Sequence, residues 1–271
     1  MHKLGTVLVN GADSLIISAF IGVVILGKYS NYIYIVTAMT GVINLFFNPL
    51  TSVVGHLCAS GKPEEIRSYY NRFYALNYIL GVVFFLGYYA VIDNVITLLF
   101  GEGLAVSRAI AFIITLSQFI SYMRNASLLF RNASGTFYND RWKPVVEGVV
   151  NLVLSLAFVM AFPEEYKVVG VIIATIITTL LICDTVEPYV IFKHVFKAGP
   201  GRFYIRNYAY IGLFVAALFV MTRIPQMGTD LISGILENGL ISVGVSVVVL
   251  LIVVILDREF RDDMKSILRF K

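Results

Sequence analysis

Charged residues are scarce in this chain of 271 residues. Asp, Glu, Lys and Arg together make up 14% of it, whereas a soluble domain carries about 25%. Hydrophobic residues make up 58%, and the mean hydropathy is +0.83. This composition excludes an ordinary soluble domain. We predict an all-α integral membrane protein, because backbone groups inside lipid must pair within their own segment.

Cysteine is almost absent as well. The two cysteines, Cys58 and Cys183, stand far apart without a CxxC pattern, and the three histidines are scattered. A disulfide framework or a metal site is therefore disfavoured, and a buried apolar thiol is the simpler interpretation. We expect no cofactor and no metal.

Sequence patterns of common enzyme sites are also missing. The chain has no Walker loop, no GxSxG and no HExxH. A membrane-embedded glycosyltransferase or polymerase would need catalytic acids in a large outer loop, and the outer polar stretches here are short. The pI near 9.0 does not indicate nucleic acid, because no basic run lies on a soluble domain. We expect neither enzymatic activity nor a nucleic-acid partner.

Long apolar segments are abundant. A helix needs about 20 apolar residues to cross the hydrocarbon layer, and eight segments qualify: about 4–26, 32–55, 73–92, 105–124, 145–162, 168–189, 207–223 and 238–256. Met1-His2-Lys3 before the first segment resembles a signal peptide. However, that segment contains Asp13 and lacks a small-residue cleavage site, so we interpret it as the first transmembrane helix.

Lys and Arg are unevenly distributed among the polar segments that connect the predicted spans. With both termini inside, 17 of the 21 Lys and Arg residues fall on the cytoplasmic side, and only Lys28, Arg108, Lys167 and Arg223 fall outside. Positive residues near span ends are retained in the cytoplasm. We therefore predict eight transmembrane helices with both termini cytoplasmic, in the cell's inner (plasma) membrane.

A polar segment, 124–147, separates four predicted spans from four. Its charged residues are Arg124, Arg131, Asp140, Arg141, Lys143 and Glu147. The excess of cations predicts a cytoplasmic loop. Near another predicted cytoplasmic end, Asp184 and Glu187 are expected to cap a helix or to pair with Lys193.

Polar residues recur at helical spacing within the first six segments except the third. Asp13 lies near the middle of the first, where a carboxylate costs about 2.5–3.5 kcal/mol and is expected to face the bundle interior or a wet cavity. Pro49 is expected to kink the second. The stripes also contain Asn10, Ser14, Ser18, Thr37, Gly41, Asn44, Asn48, Thr51, Ser52, Thr115, Gln118, Ser121, Asn151, Ser155, Thr175, Thr178, Thr179 and Asp184. The last two segments lack such stripes, so we expect them to face lipid.

Two interpretations of the stripes stay open. Polar side chains in spans often only join helices, at about 0.6 kcal/mol per bond, and a protonated Asp13 would fit that role. Alternatively, the stripes line a polar substrate cavity, formed by Asn10, Asp13, Asn44, Asn48, Gln118 and Asn151. The cations Arg124, Arg131, Arg141 and Lys143 either set the topology or bind a pyrophosphate at the inner leaflet.

The end of the chain is amphipathic. Phe260, Met264, Ile267, Leu268 and Phe270 recur at helical spacing between charged residues. This pattern predicts a short helix on the inner leaflet, and a solvated tail is the alternative.

Three stretches resemble the Wzx-type O-antigen and capsule flippases, in the polysaccharide-transport family of the multidrug/oligosaccharidyl-lipid/polysaccharide (MOP) exporter superfamily. They are HKLG with GADSLIISAF and YSNY near the start, FYNDRWKP with the following Glu147, Gly148, Asn151 and Leu152, and EPYV with Lys193. The resemblance covers most of 1–197. Asp140, Glu147, Glu187 and Pro188 carry its motif.

The resemblance implies a fold and a function. The fold would be a six-helix, MATE-like C-terminal transporter lobe over 1–197, two additional transmembrane helices over 198–257 and a cytoplasmic basic tail over 258–271. The function would be alternating-access transport of a polyprenyl-pyrophosphate-linked oligosaccharide across the bacterial inner membrane, in contact with membrane lipids. Family members have two lobes, and this chain resembles the second, so it would be part of such a carrier. The alternative is a truncated, non-transporting membrane scaffold or a half-transporter that needs a separate N-terminal lobe.

Overall fold

The structure is a computed structural model that describes residues 2–228 and 230–268, and for residues 2–10, 46 and 268 the backbone alone. The described residues form helices and turns without a strand. The α-helices are α1 (His2–Phe20), α2 (Val23–Phe47), α3 (Leu50–Ser60), α4 (Pro63–Phe100), α5 (Arg108–Met123), α6 (Asn125–Ala133), α7 (Lys143–Ala161), α8 (Lys167–Thr178), α9 (Asp184–His194), α10 (Gly201–Arg223), α11 (Leu231–Leu256) and α12 (Arg258–Leu268).

Among the described residues, five helical stretches are long and apolar enough to cross a membrane. They are Pro63–Phe100, Lys143–Ala161, Glu164–His194, Gly201–Arg223 and Leu231–Leu256, and the bent pair Val23–Leu45 with Leu50–Ser60 makes a sixth. The prediction of an all-helical chain with several membrane-length helices is confirmed. The other two predicted segments, 4–26 and 105–124, correspond to the 19 residues of α1 and the 16 of α5.

The first predicted polar break is in the wrong place. Residues 27–31 lie inside α2, and the chain instead breaks at Ile21 and Gly22. Gly22 has φ 120, a backbone conformation that a residue with a Cβ atom rarely adopts. The position of this glycine, not the polarity of the residues after it, decides where α1 ends.

The kink predicted at Pro49 is confirmed. The parts of the helix before and after it are bent by 53°. Proline has no backbone N–H and its ring clashes with the preceding turn, so α2 ends one residue before Asn48 and α3 begins after Pro49.

The centre of the bundle is α4, whose 38 residues have a long buried face. Fully buried aromatic side chains along it include Tyr70, Tyr74, Tyr78 and Phe85. Gly81 allows α5 to approach closely, because a Cβ atom there would lie 3.1 Å from the rings of Phe119 and Tyr122. The other helices are therefore positioned around α4.

The prediction that the last segment lacks a polar stripe is wrong. Along α11, one face buries Gly234, Asn238, Ser242 and Ser246 at a spacing of four residues. Asn238 donates to the backbone oxygens of Gly234 (2.7 Å) and Met227 (3.1 Å). Small residues at this spacing permit close helix packing, so this face is a packing surface for α4 and only the opposite face is exposed.

The predicted amphipathic tail forms α12. Its Phe260 is only 1% exposed and lies edge-on to the rings of Tyr78 and Tyr210, with centroids 6.3 and 6.0 Å away. The apolar edge of the helix thus packs on the protein bundle. Phe270 lies outside the described residues.

Candidate functional site

A cavity of about 580 Å³ lies between the first two helices and the α5–α9 region. This volume is within the 300–1,000 Å³ typical of ligand sites. It is lined by Asp13, Ser14, Tyr29, Ile33, Thr37, Gln118, Ser121, Arg124, Leu128, Arg131, Lys143, Pro144, Glu147, Thr175, Thr179 and Glu187. Many of these side chains are polar, so the cavity is unlike the apolar surface that surrounds it.

Asp13 lies on the wall of this cavity and connects three helices. Its carboxylate accepts hydrogen bonds from Thr175 Oγ1 on α8 (2.8 Å) and from Asn151 Nδ2 on α7 (3.4 Å). Ser155 donates to Asn151 Oδ1 at 3.0 Å. The two open interpretations of Asp13 are therefore compatible, because the residue both joins helices and borders the cavity.

At one end of the cavity, six charged residues form what we call the cavity cluster: Arg124, Arg131, Asp140, Lys143, Glu147 and Glu187. Glu187 is fully buried and accepts hydrogen bonds from Arg124 Nε (3.1 Å), Arg124 Nη2 (2.6 Å) and Lys143 Nζ (2.6 Å). Such bidentate, charge-assisted bonds are the strongest that side chains form. Glu187 therefore ties the end of α5 to the start of α7.

The remaining pairs complete the cluster. Arg131 Nη1 donates to Asp140 at 2.7 Å, and Lys143 Nζ lies 2.8 Å from Glu147. Arg124 is farther from Glu147, at 3.9 Å. Three cations thus face three carboxylates, and the cavity cluster is formally neutral. Burial of unbalanced charge would be costly, which explains why the cations and acids occur together.

Local structure assembles the cluster from a segment that we predicted to be a loop. Instead, 124–147 contains α6, a turn at Gly135 with φ 68, and the first turn of α7. Pro144 lies in that first turn, where its missing N–H costs nothing. Asp184 and Glu187 lie in the first turn of α9, directly after the π-helical turn Thr179–Cys183 that joins α8 to α9.

The expected pairing of Glu187 or Asp184 with Lys193 is wrong. Lys193 Nζ lies 3.2 Å from the hydroxyl of Tyr189, and Glu187 is occupied by Arg124 and Lys143. Asp184 is buried and accepts a hydrogen bond from Asn207 Nδ2 on α10 at 3.4 Å. Lys193 lies a further turn and a half along α9, on its exposed side, and does not reach the buried acids.

Several predicted site residues do not line the cavity. Asn44 on α2 is half-buried and Asn48, directly after α2, is exposed, and neither lines the cavity. Arg141 is exposed, with its guanidinium 4.3 Å from the ring centroid of Tyr138. Asn151 and Pro188 are buried beside the cavity without lining it, and the side chain of Asn10 lies outside the described residues.

Sequence reasoning missed Tyr29, Ile33 and Leu128 as lining residues. Tyr29 and Ile33 lie in or next to the stretch predicted as a polar break, so they were not placed on a helix face. With α2 starting at Val23, a spacing of four residues joins Tyr29, Ile33 and Thr37 in one stripe, and that spacing was the available signal.

The fold and this site define an all-helical protein with several helices long and apolar enough to span a membrane and a polar cavity bounded by a buried ion-pair cluster. Comparison with known proteins adds no relative: no protein-family model, no curated protein and no solved structure matches the chain.

Proposed function

We propose that this chain is one lobe of a carrier that moves polyprenyl-pyrophosphate-linked oligosaccharides across the bacterial inner membrane. In this proposal α1 and α5 also cross the membrane, which gives eight spans with both termini cytoplasmic. The observation that carries the proposal is the polar cavity, because it has three cations at one end within a bundle whose outside is apolar.

The chemistry of such a substrate fits the cavity wall. Sugar hydroxyls need hydrogen-bonding partners, and Ser14, Gln118 and Ser121 face the cavity. A pyrophosphate needs cations, preferably with the fork geometry of arginine, and Arg124 and Arg131 supply it. The long isoprenoid tail needs only an apolar surrounding, which lipid provides.

The cavity cluster is neutral, so an arriving anion must take the place of a carboxylate. Two acids of the cluster line the cavity, Glu147 and Glu187. Glu147 is the less firmly held of the two, since its nearest cations are Lys143 at 2.8 Å and Arg124 at 3.9 Å, whereas Glu187 accepts three hydrogen bonds. In our proposal the pyrophosphate replaces Glu147 at these two cations. Glu187 stays in place and keeps the cations oriented.

A second observation supports the requirement for another lobe. On α2 and α3, Gly41, Asn48 and Ser52 are exposed on the outside of the bundle, and they belong to the stripe predicted to face a cavity. A polar side chain facing hydrocarbon is costly. We propose that this stripe is covered by a separate N-terminal lobe, which would also complete the cavity at Thr37.

The test is a flipping assay in proteoliposomes with a fluorescent polyprenyl-pyrophosphate glycan, using this chain alone and together with a candidate N-terminal lobe. We expect transfer to need both, and Asp13→Ala and Arg124→Ala to slow it. Arg124→Lys keeps the positive charge that balances the buried acids but loses the guanidinium fork, so it distinguishes a loss of substrate recognition from a loss of folding. Arg141→Ala is the control outside the cavity. Wild-type rates in both site variants would remove these residues from the mechanism, and no transfer by the pair would favour a membrane scaffold.

A further inference from the structure

Helix α2 has a backbone break at each end. Gly22, with φ 120, separates it from α1, and the 53° bend at Asn48 and Pro49 separates it from α3. Hinges of moving elements are a few positions at element ends that absorb changes in φ and ψ. The helix between these two breaks can therefore turn as a rigid rod.

This rod forms one wall of the cavity. Tyr29, Ile33 and Thr37 face the cavity from α2 at a spacing of four residues. The opposite walls belong to α1, α5 and the α7–α9 region. A movement of α2 would therefore change the access to the cavity. The hydrogen bonds of Asp13 and Glu187 run to side chains of α7 and α8 and to Arg124 and Lys143, not to α2.

A compact group of polar contacts fixes α2 to its neighbours. The Tyr32 hydroxyl donates to Asp93 Oδ1 on α4 (2.5 Å) and accepts from the backbone N–H of Val106 (3.3 Å). Arg108 Nη1, at the start of α5, lies 3.0 Å from Asp93 Oδ2. In addition, Tyr88 donates to the backbone oxygen of Tyr32 at 3.0 Å. Tyr32 itself is fully buried.

These contacts lie at the far end of the bundle from the cavity cluster. Arg108 begins α5 and Arg124 follows its last residue, so 16 residues at 1.5 Å each separate them by about 24 Å along the helix. The cavity lies between the two ends. Each end therefore has its own set of ionic contacts.

We infer that Tyr32, Asp93 and Arg108 form a lock that holds α2 over the cavity, and that its release lets α2 turn on the breaks at Gly22 and Pro49 and opens the cavity at the far end. The lock is independent of what the cavity carries. It requires only the contacts of α2 with α4 and α5 and the two breaks.

The experiment measures access to the cavity with a membrane-impermeant maleimide in sealed proteoliposomes of the full chain. The reporter is Ser14→Cys, a near-isosteric change on the cavity wall. The reagent is added from the side that labels Glu102→Cys, an exposed position at the far end. The parent chain supplies the background from Cys58 and Cys183. Because Cys183 is fully buried, its labelling reports unfolding.

We expect Asp93→Asn and Arg108→Gln each to speed the labelling of Ser14→Cys about tenfold or more, because each removes a charge-assisted hydrogen bond. Tyr32→Phe should have a smaller effect of the same sign. The matched control is Arg223→Gln, which removes an exposed cation at the same end and should change nothing. Unchanged labelling in both lock variants, an equal rise in the control, or a parallel rise at Cys183 would overturn the inference.

Discussion

Two buried arginine clusters lie towards the same end of the bundle and differ in what surrounds them. The cavity cluster is described above. In the second, which we call the tail cluster, Arg206 lies near Asp257 (2.9 Å), Asp263 (3.5 Å) and Glu259 (3.6 Å). Arg202 adds a contact with Glu259 at 3.2 Å. These contacts hold α12 against α10.

Both clusters contain a buried arginine, so the difference between them lies in what surrounds it. The groove beside the tail cluster has mainly apolar walls, including Leu213, Ala216 and Ile252. The cavity cluster has equal numbers of both signs and faces hydrogen-bonding side chains.

The largest expected effect is a loss of folding stability when the cavity cluster loses one carboxylate. Glu187→Gln removes the carboxylate shared by Arg124 and Lys143 and leaves the buried cluster with one cation in excess. We expect a loss of about 3–5 kcal/mol in the free energy of unfolding, measured by denaturant unfolding in detergent micelles. Glu102→Gln, at an exposed position, should be neutral. A loss below about 1 kcal/mol would mean that the cavity cluster does not anchor the fold.

A smaller and local effect is expected at the tail. Phe260→Ala removes a buried ring that packs on Tyr78 and Tyr210, a change that costs about 3 kcal/mol in a well-packed core. We expect faster hydrogen exchange within Arg258–Leu268 and unchanged ligand binding at the cavity. Ile267→Ala, at a half-buried position on the same helix, is the control. Weaker binding at the cavity would show that the two regions are coupled.

The smallest effect concerns the acids of the tail cluster. Burial alone would raise the pKa of Asp257, but the Tyr210 hydrogen bond and Arg206 hold it below its usual range. Burial raises the pKa of Asp263 despite Arg206. Asp257 therefore stabilises docking of α12 above about pH 4, and this is lost as the pH falls through its lowered pKa. Protonation of Asp263 has the opposite effect, because it removes the free-energy cost of burying the charged carboxylate.

Hydrogen exchange of α12 against pH checks these opposite signs. Asp257→Asn should speed exchange at neutral pH, whereas Asp263→Asn should leave it unchanged or slow it slightly. Faster exchange in both variants would mean that the ion pairs with Arg206 dominate over burial.

Sequence reasoning succeeded where composition and periodicity carry the signal. The helical class, the kink at Pro49 and the interior position of Asp13 follow from hydropathy, proline geometry and the cost of a carboxylate in lipid. The ion-pair partners of the charged residues were harder to predict from the sequence. Whether Glu187 meets Lys193 or Arg124 depends on tertiary contacts between α5, α7 and α9, and no local pattern contains them.

The errors at α2 and α11 have one physical origin. From the sequence, we used polarity to place helix ends and to decide which helix faces meet lipid. However, Lys28 and Ser30 are helical within α2. Ser242 and Ser246 of α11 are buried at a helix contact. A residue such as Asn48 shows the converse, since its polarity predicted a cavity position and its side chain faces outward. Backbone geometry and close packing decided these cases.

The most direct measurement of the central claim is a titration with polyprenyl diphosphate followed by the fluorescence of Trp142. This is the only tryptophan of the chain, and it directly precedes Lys143 of the cavity cluster. Because we propose that the anion replaces Glu147, we expect Glu147→Gln to bind the diphosphate at least about tenfold more tightly than the parent chain, equal to about 1.4 kcal/mol. Arg141→Gln should not change binding. Equal or weaker binding by Glu147→Gln would contradict the account.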